Sequence, residues 1–149
     1  MRAVVQRVSK AEVLVDNSIL GRINKGLLIL LGVAEEDSDA DIGYMVDKTL
    51  NLRIFEDEND KMNLSVQDIK GEILVISQFT LHGDARKGRR PSFSKAGNPQ
   101  KAEALYNQYI HQLRNSGITV ESGRFAAYME VGLVNDGPVT ILLDSTKLF

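Results

Sequence analysis

Gly26-Leu27-Leu28-Ile29-Leu30-Leu31-Gly32-Val33 is an unbroken apolar run, opened by glycine and too short for an ordinary helix. Such a run suits a strand buried on both faces. The chain before it behaves differently. From Arg2 to Asp16, Val4, Val8, Ala11, Val13 and Val15 are interleaved with Gln6, Arg7, Lys10, Glu12 and Asp16. That alternation marks a half-buried strand, and its slip near Ser9 predicts a bulge. Asp16-Asn17-Ser18 is turn chemistry, so Ile19–Ile23 is expected to return as a hairpin partner.

After the run the period changes. Ser38 and Asp41 have capping-box spacing, and Ile42, Met45, Val46, Thr49 and Leu50 follow along one helical face, predicting a helix over 39–51. A short strand is expected at Ile54-Phe55, before the polar turn Glu56–Asp60. That turn lacks the central glycine and the twelfth-position acid of a calcium loop. Glu72–Leu81 reads as a strand, and 82–98 as an irregular, glycine-rich, basic stretch. Asn98 as N-cap with Pro99 at the first helical position starts a second helix, with Ala102, Leu105, Tyr106, Tyr109 and Leu113 on its apolar face and Gly117 as its C-terminal cap. Three strands are expected to close the chain, at 118–121, 128–134 and 139–143, the last two separated by a turn at Asn135-Asp136-Gly137-Pro138. Many strands and two helices make an α+β domain with mostly antiparallel pairing, a single domain over residues 1–149.

Composition removes several function classes. The chain has no cysteine, so neither a disulfide framework nor a thiolate nucleophile or metal site is available. Its two histidines, His82 and His111, have no zinc-ligand spacing, and His111 is expected at the helix surface. Neither a Gly-x-Ser-x-Gly elbow nor a P-loop is present. No metal and no cofactor is expected. With no apolar stretch near the ~20 residues that span a bilayer and no signal-peptide pattern, the expectation is a soluble, cytoplasmic protein with no membrane partner. The net charge of −2 makes the chain no polycation. Nucleic-acid contact would therefore rest on a local patch, and Arg86, Lys87, Arg89 and Arg90 supply one; a merely solvated loop reads equally well.

Two short patterns carry chemistry. Ser77-Gln78-Phe79-Thr80 ends an apolar strand beside the basic loop, where hydroxyls and backbone N–H groups become available to a ligand. It could supply a hydroxyl nucleophile or an oxyanion hole; an ordinary strand end is the alternative. Gly137-Pro138 interrupts two apolar β runs and marks a turn, an edge or a bulge.

These patterns resemble the two signature motifs of the D-aminoacyl-tRNA deacylase family, Ser77-Gln78-Phe79-Thr80-Leu81 and Asn135-Asp136-Gly137-Pro138-Val139-Thr140. The similarity runs nearly end to end, through Gln6-Arg7-Val8, Leu30-Leu31-Gly32-Val33, Arg53-Ile54-Phe55, Lys61-Met62-Asn63-Leu64, Arg90-Pro91-Ser92-Phe93 and Gly123-Arg124-Phe125. The resemblance implies a compact, barrel-like, β-rich domain with its helices packed outside, working as a homodimer with active sites at the subunit interface. It implies hydrolysis of the ester of D-aminoacyl-tRNA, and of glycine mischarged on tRNA, with L-aminoacyl-tRNA rejected. Gly137-Pro138 would be cis and enter the partner's site as a backbone wall that collides with an L side chain, and Arg7 would help hold it. Gln78 would position the terminal adenosine or the carbonyl. Phe125 and Met129 match pocket residues, and a core role for them stays equally open. Thr80 could attack the ester, but a threonine without a base is a poor nucleophile. The preferred route uses N–H groups near Phe79 and Thr80, aided by the ribose 2′-OH. A non-catalytic RNA-binding module and a hydrolase of small esters or D-peptides are the rival readings.

Overall fold

The computed structural model describes residues 1–149. Its frame is a long strand, β1 (Arg2–Val15), paired along its whole length. One edge takes β3 (Gly26–Gly32) and then, through a short bend, β2 (Ser18–Ile23), both antiparallel. The other edge takes β8 (Glu130–Asp144). Beyond β3 lie β6 (Glu72–Ser77) and β7 (Thr119–Ser122), each parallel to its neighbour. Parallel neighbours need crossovers, here α1 (Asp39–Asn51) and α2 (Pro99–Asn115). A separate small ribbon pairs β4 (Phe55–Glu56) with β5 (Met62–Leu64).

Both helices start as expected. The Asp41 carboxylate accepts from the Ser38 N–H at 2.8 Å and from its hydroxyl at 2.9 Å. Asn98 Oδ1 accepts from the Lys101 N–H at 3.0 Å, with Pro99 opening α2. Each helix lays its apolar face on one side of the sheet, where Ile42, Met45, Tyr106, Tyr109 and Leu113 meet Val5, Leu27, Ile29, Ile73 and Val75. The other face rolls over its own core of Val8, Ala11, Val13, Ile23, Leu28, Leu74 and Ile76. The roll brings β2 against β7: a Cβ placed on Gly21 would lie 3.3 Å from Cβ of Glu121. The sheet is thus a nearly closed, mixed, barrel-like layer with two helices outside.

Successive residues of β3 alternate between the two cores, so the apolar run is buried on both faces as its composition requires. The slip near Ser9 is also real. Ala3 and Val5 face the helices whereas Ala11 and Val13 face the rolled side, so odd-numbered residues change face between them. The register against β8 shifts there twice, between Gln6 and Val8 and between Val8 and Lys10.

Two expectations are corrected. The strand predicted over 72–81 stops at Ser77, and Phe79–His82 forms a 3-10 turn. Its partner β3 ends at Gly32; the Gln78 N–H makes a last bond to the Leu31 carbonyl at 2.8 Å, and no ladder remains beyond it. Gln78, Phe79, Thr80 and Leu81 therefore lie outside the strand. The turn expected at 135–138 does not separate two strands. β1 is long enough to pair with both halves, so 130–144 runs on as one strand. The Asn135 amide spans the irregularity, donating to the Arg7 carbonyl at 3.0 Å and to the Val139 carbonyl at 2.9 Å. Pairing is mostly antiparallel as expected, with β3–β6 and β6–β7 the parallel exceptions; the expected short strand lies at Phe55–Glu56, and its partner β5 is too short to show a period.

Candidate active site

Where β6 ends, an apolar cleft of about 520 Å³ opens between the sheet edge and the start of α2. That volume accommodates an amino-acid side chain with part of its carrier. Leu31, Ile76 and Val131 form its floor, and Ala102 and Tyr106 of α2 close one wall. Tyr106 is fixed by donating to the Val75 carbonyl at 2.9 Å; burial pushes its phenol well above the usual range, so it stays neutral. Phe125 lies against it with ring centroids 5.8 Å apart. Met129 packs closely on Gly123, where a Cβ would stand 2.5 Å from the thioether sulfur and displace that flexible side chain. Phe125 and Met129 both line the cleft, together with the exposed Tyr128.

Ser77, Gln78 and Phe79 line the cleft along its edge. Ser77 and Gln78 are half-buried, whereas Phe79 and Thr80 are exposed. As the first residues of the 3-10 turn, Phe79 and Thr80 have N–H groups with no partner inside it, and the chain's turn, loop and cap hydrogen bonds do not use them. The Thr80 hydroxyl accepts from the Gln78 side-chain amide. His82, two residues on, is 6% exposed and turned into the protein, so it does not serve Thr80 as a base. Its Nε2 has no hydrogen-bond partner. Burial lowers its pKa; the Gly32 backbone opposes the shift, and nearby Arg2 adds to it.

Gly137 and Pro138 lie elsewhere. They are exposed on β8, joined by a cis peptide, and line no part of this cleft. Gly137 has φ +128, and a Cβ on it would fall 2.8 Å from Val139 Cγ2 and 3.0 Å from Arg7 Nη2. Arg7 is buried behind them. Its Nε donates to the Asp136 carbonyl at 3.0 Å, and its Nη1 to the Ile54 carbonyl at 2.7 Å and to the Glu56 carboxylate at 3.1 Å. β1 separates the two motifs, since Leu31 faces Ala3 whereas Leu27 faces Arg7, about 13 Å along the strand.

The four cations lie on an exposed loop whose base is pinned by mutual backbone bonds of Asp84 and Ser92, at 2.8 and 2.9 Å. Arg86 is occupied: it forks onto Asp84 at 2.9 and 2.6 Å, and this pairing holds the Asp84 carboxyl far below the usual range. The loop reaches the cleft through Phe93, whose ring meets Phe79 edge-on at 5.1 Å. No group of three or more His, Cys, Asp or Glu side chains is arranged to hold a metal, and no helix is long and apolar enough to cross a membrane.

Sequence reasoning missed the α2 wall, the burial of His82 and the use of Arg2 near the turn. Pro99, Ala102 and Tyr106 read simply as helix start and core, and nothing local marks that such residues also face a cavity.

Fold and site together define a small α+β domain with a side-chain-sized apolar cleft beside free backbone donors. A family model described as D-Tyr-tRNA(Tyr) deacylase matches residues 4–144. The chain belongs to that family. It is 63% identical to a D-aminoacyl-tRNA deacylase of Clostridioides difficile and 58% identical to one of Thermotoga petrophila, each over 100% of both chains. Among solved structures it resembles a c-Myc DNA unwinding element binding protein, at TM-score 0.91 and 44% identity, covering 97% of this chain and 98% of that one. A probable eukaryotic D-amino acid tRNA deacylase shares the fold at TM-score 0.83 and 20% identity, covering 95% and 97%.

Proposed function

We propose that this protein hydrolyses the ester between tRNA and a D-amino acid, or glycine mischarged on tRNA, in the cytoplasm and without a cofactor. The observation that carries the reading is the apolar cleft edged by Ser77-Gln78-Phe79 next to the unpartnered N–H groups of Phe79 and Thr80. The cleft takes the amino-acid side chain, and Gln78 orients the terminal adenosine or the carbonyl. The two N–H groups receive the charge that develops on the carbonyl oxygen, where aimed donors act most strongly. An aminoacyl ester is already activated, so a water held in place by the ribose 2′-OH suffices as nucleophile: its oxygen forms the amino acid's carboxylate and its proton goes to the departing ribose oxygen. The Thr80 hydroxyl, bonded to Gln78 and lacking a base, is a scaffold in this scheme.

Chiral selection belongs to Gly137-Pro138 of a second copy, inserted across the cleft so that backbone meets an L side chain and spares a D one. Three features support a homodimer. The outer edge of β8 has no strand partner, and the strand exposes Leu133, Val134 and Leu142 at 37%, 45% and 54%. Gly137-Pro138 stands on that strand outside its own subunit's cleft. The cations Lys87, Arg89 and Arg90, and Arg86 once freed from Asp84, fit the phosphates of the acceptor end.

Purified protein incubated with D-tyrosyl-, L-tyrosyl- and glycyl-tRNA and with a free D-tyrosine ester tests this. Release from the first and third substrates alone is the expected result. Salt-sensitive binding without turnover would make the chain an RNA-binding module, and equal hydrolysis of the free ester would remove tRNA from the reading.

A further inference from the structure

The N–H groups of Phe79 and Thr80 can be aimed only if the four-residue turn carrying them is held from beneath, because a 3-10 turn stabilises itself weakly. Three contacts hold this one. The Gln78 N–H is tied to the Leu31 carbonyl at 2.8 Å. Gly32 lies directly below, so close that a Cβ there would be 2.9 Å from the Gln78 carbonyl oxygen and 3.1 Å from Leu81 Cβ. The third contact is Arg2, which lines no part of the cleft. Its Nη1 donates to the Leu81 carbonyl at 3.1 Å, and its Nε donates to Asp144 Oδ2 at 2.9 Å. Asp144 is itself fixed: its side chain is 4% exposed, and its other oxygen accepts from the Thr146 N–H and hydroxyl at 2.8 and 2.6 Å.

We propose that Arg2 is a positioning residue for ester hydrolysis: braced by Asp144, it holds the Leu81 carbonyl and thereby the aim of the Phe79 and Thr80 N–H groups. This rests on the reading of those groups as the oxyanion donors. The planar guanidinium suits the task, since two of its nitrogens reach two fixed acceptors at once; a lysine offers one point of contact and reaches only one of them.

The test uses the full chain with D-tyrosyl-tRNA, kcat and KM measured separately, for Arg2→Gln, Arg2→Lys, Asp144→Asn and the Arg2→Gln/Asp144→Asn double variant. Arg2→Gln should lower kcat by about tenfold or more with KM within about twofold, the pattern of an interaction realised in the transition state. Asp144→Asn should show a smaller fall of the same kind, and the double variant should be no worse than Arg2→Gln alone. Backbone amide exchange should quicken at residues 81–83, where the Leu81 and Gly83 N–H groups close the turn onto the Gln78 and Thr80 carbonyls, in Arg2→Gln and stay unchanged in the helices. An unchanged kcat in folded Arg2→Gln overturns the proposal, as does a loss confined to KM that grows with salt, which would make Arg2 a phosphate contact. Should Arg2→Gln not fold, Arg2→Lys and Asp144→Asn decide by the same split, and an intact kcat in both overturns it. Should the wild-type protein leave D-tyrosyl-tRNA intact, the deacylase reading fails; amide exchange then judges Arg2 alone, and unaltered exchange at 81–83 refutes its hold on the turn.

Discussion

Replacing Arg7 by methionine removes the donor that joins the β4 region to the Gly137-Pro138 segment. The Ile54 carbonyl, bonded at 2.7 Å, is buried, and the Asp136 carbonyl, at 3.0 Å, is half-buried. Each loses its donor where water cannot fully replace it, at roughly 1–3 kcal/mol apiece. The carboxylates of Glu56 and Asp136 are 48% and 44% exposed, so their ion pairs with Arg7 add only about 0–1 kcal/mol. The sum is about 2–7 kcal/mol, and in a domain of this size it should lower Tm by roughly 5–25 °C. The functional effect should exceed the thermal one, because Asp136 immediately precedes Gly137 and its carbonyl is the anchor. Below the melting range, the ratio of D-tyrosyl- to L-tyrosyl-tRNA hydrolysis should fall at least about tenfold, a loss of about 1.4 kcal/mol of discrimination. Differential scanning calorimetry and paired deacylation assays measure the two. Arg7→Lys should fall between wild type and Arg7→Met, since an ammonium has no fork to span both carbonyls. A stable Arg7→Met protein with undiminished selectivity would falsify the reasoning at its root.

Further outcomes follow from the same contacts. Thr80→Ala should retain substantial deacylation of D-tyrosyl-tRNA, measured by single-turnover kinetics; near-complete loss in a folded variant would instead support a covalent threonine. Replacing the exposed Pro138 should erode D-versus-L selectivity more than it shifts the urea midpoint, and unchanged selectivity would remove the filter from this segment. His82 has its pKa lowered in the folded state, so the unfolded chain takes up the proton first. Stability should then decline as pH drops below about 6.5, the unperturbed imidazole value. Urea unfolding at pH 7.5 and 5.5 should show a drop that His82→Gln lessens; equal drops would place the titration on other groups. Tyr106→Phe removes one of the two donors to the Val75 carbonyl, which keeps the Gly123 N–H at 3.0 Å, and should cost about 0.5–1.5 kcal/mol in chemical denaturation.

The elements were largely legible because their signals are local. Ser38 with Asp41, and Asn98 with Pro99, announce helix starts that depend on neighbours three residues away. The slip at Ser9 announced a bulge because one extra residue reverses every side chain that follows it. What stayed hidden depends on partners distant in sequence. Whether Gln78–Leu81 continues as strand is decided by Gly32, where the neighbouring strand ends. Whether 135–138 turns back is decided by the length of β1. His82 reads as a loop residue next to basic neighbours, yet the turn swings it inward against Gly32. The site was legible only as two motifs; how they relate in space could not be read along the chain.

That spatial relation gives β1 a role that neither motif reveals. Arg2 and Arg7 stand five residues apart on it, about 17 Å along the strand. Each grips a backbone carbonyl of a different motif: Leu81 in the turn and Asp136 beside Gly137. Each is braced by acidic side chains, Asp144 in one case and Glu56 and Asp136 in the other. If a second copy supplies its Gly137-Pro138 to this cleft, the ester is held between backbone fixed by Arg2 of one chain and backbone fixed by Arg7 of the other. Selectivity then rests on the placement of main-chain atoms, which a side-chain substitution inside the cleft cannot reproduce. A Met129 variant should accordingly alter which D side chains fit while leaving L-aminoacyl-tRNA excluded, and measured hydrolysis of L-tyrosyl-tRNA by such a variant would return the filter to the cleft wall.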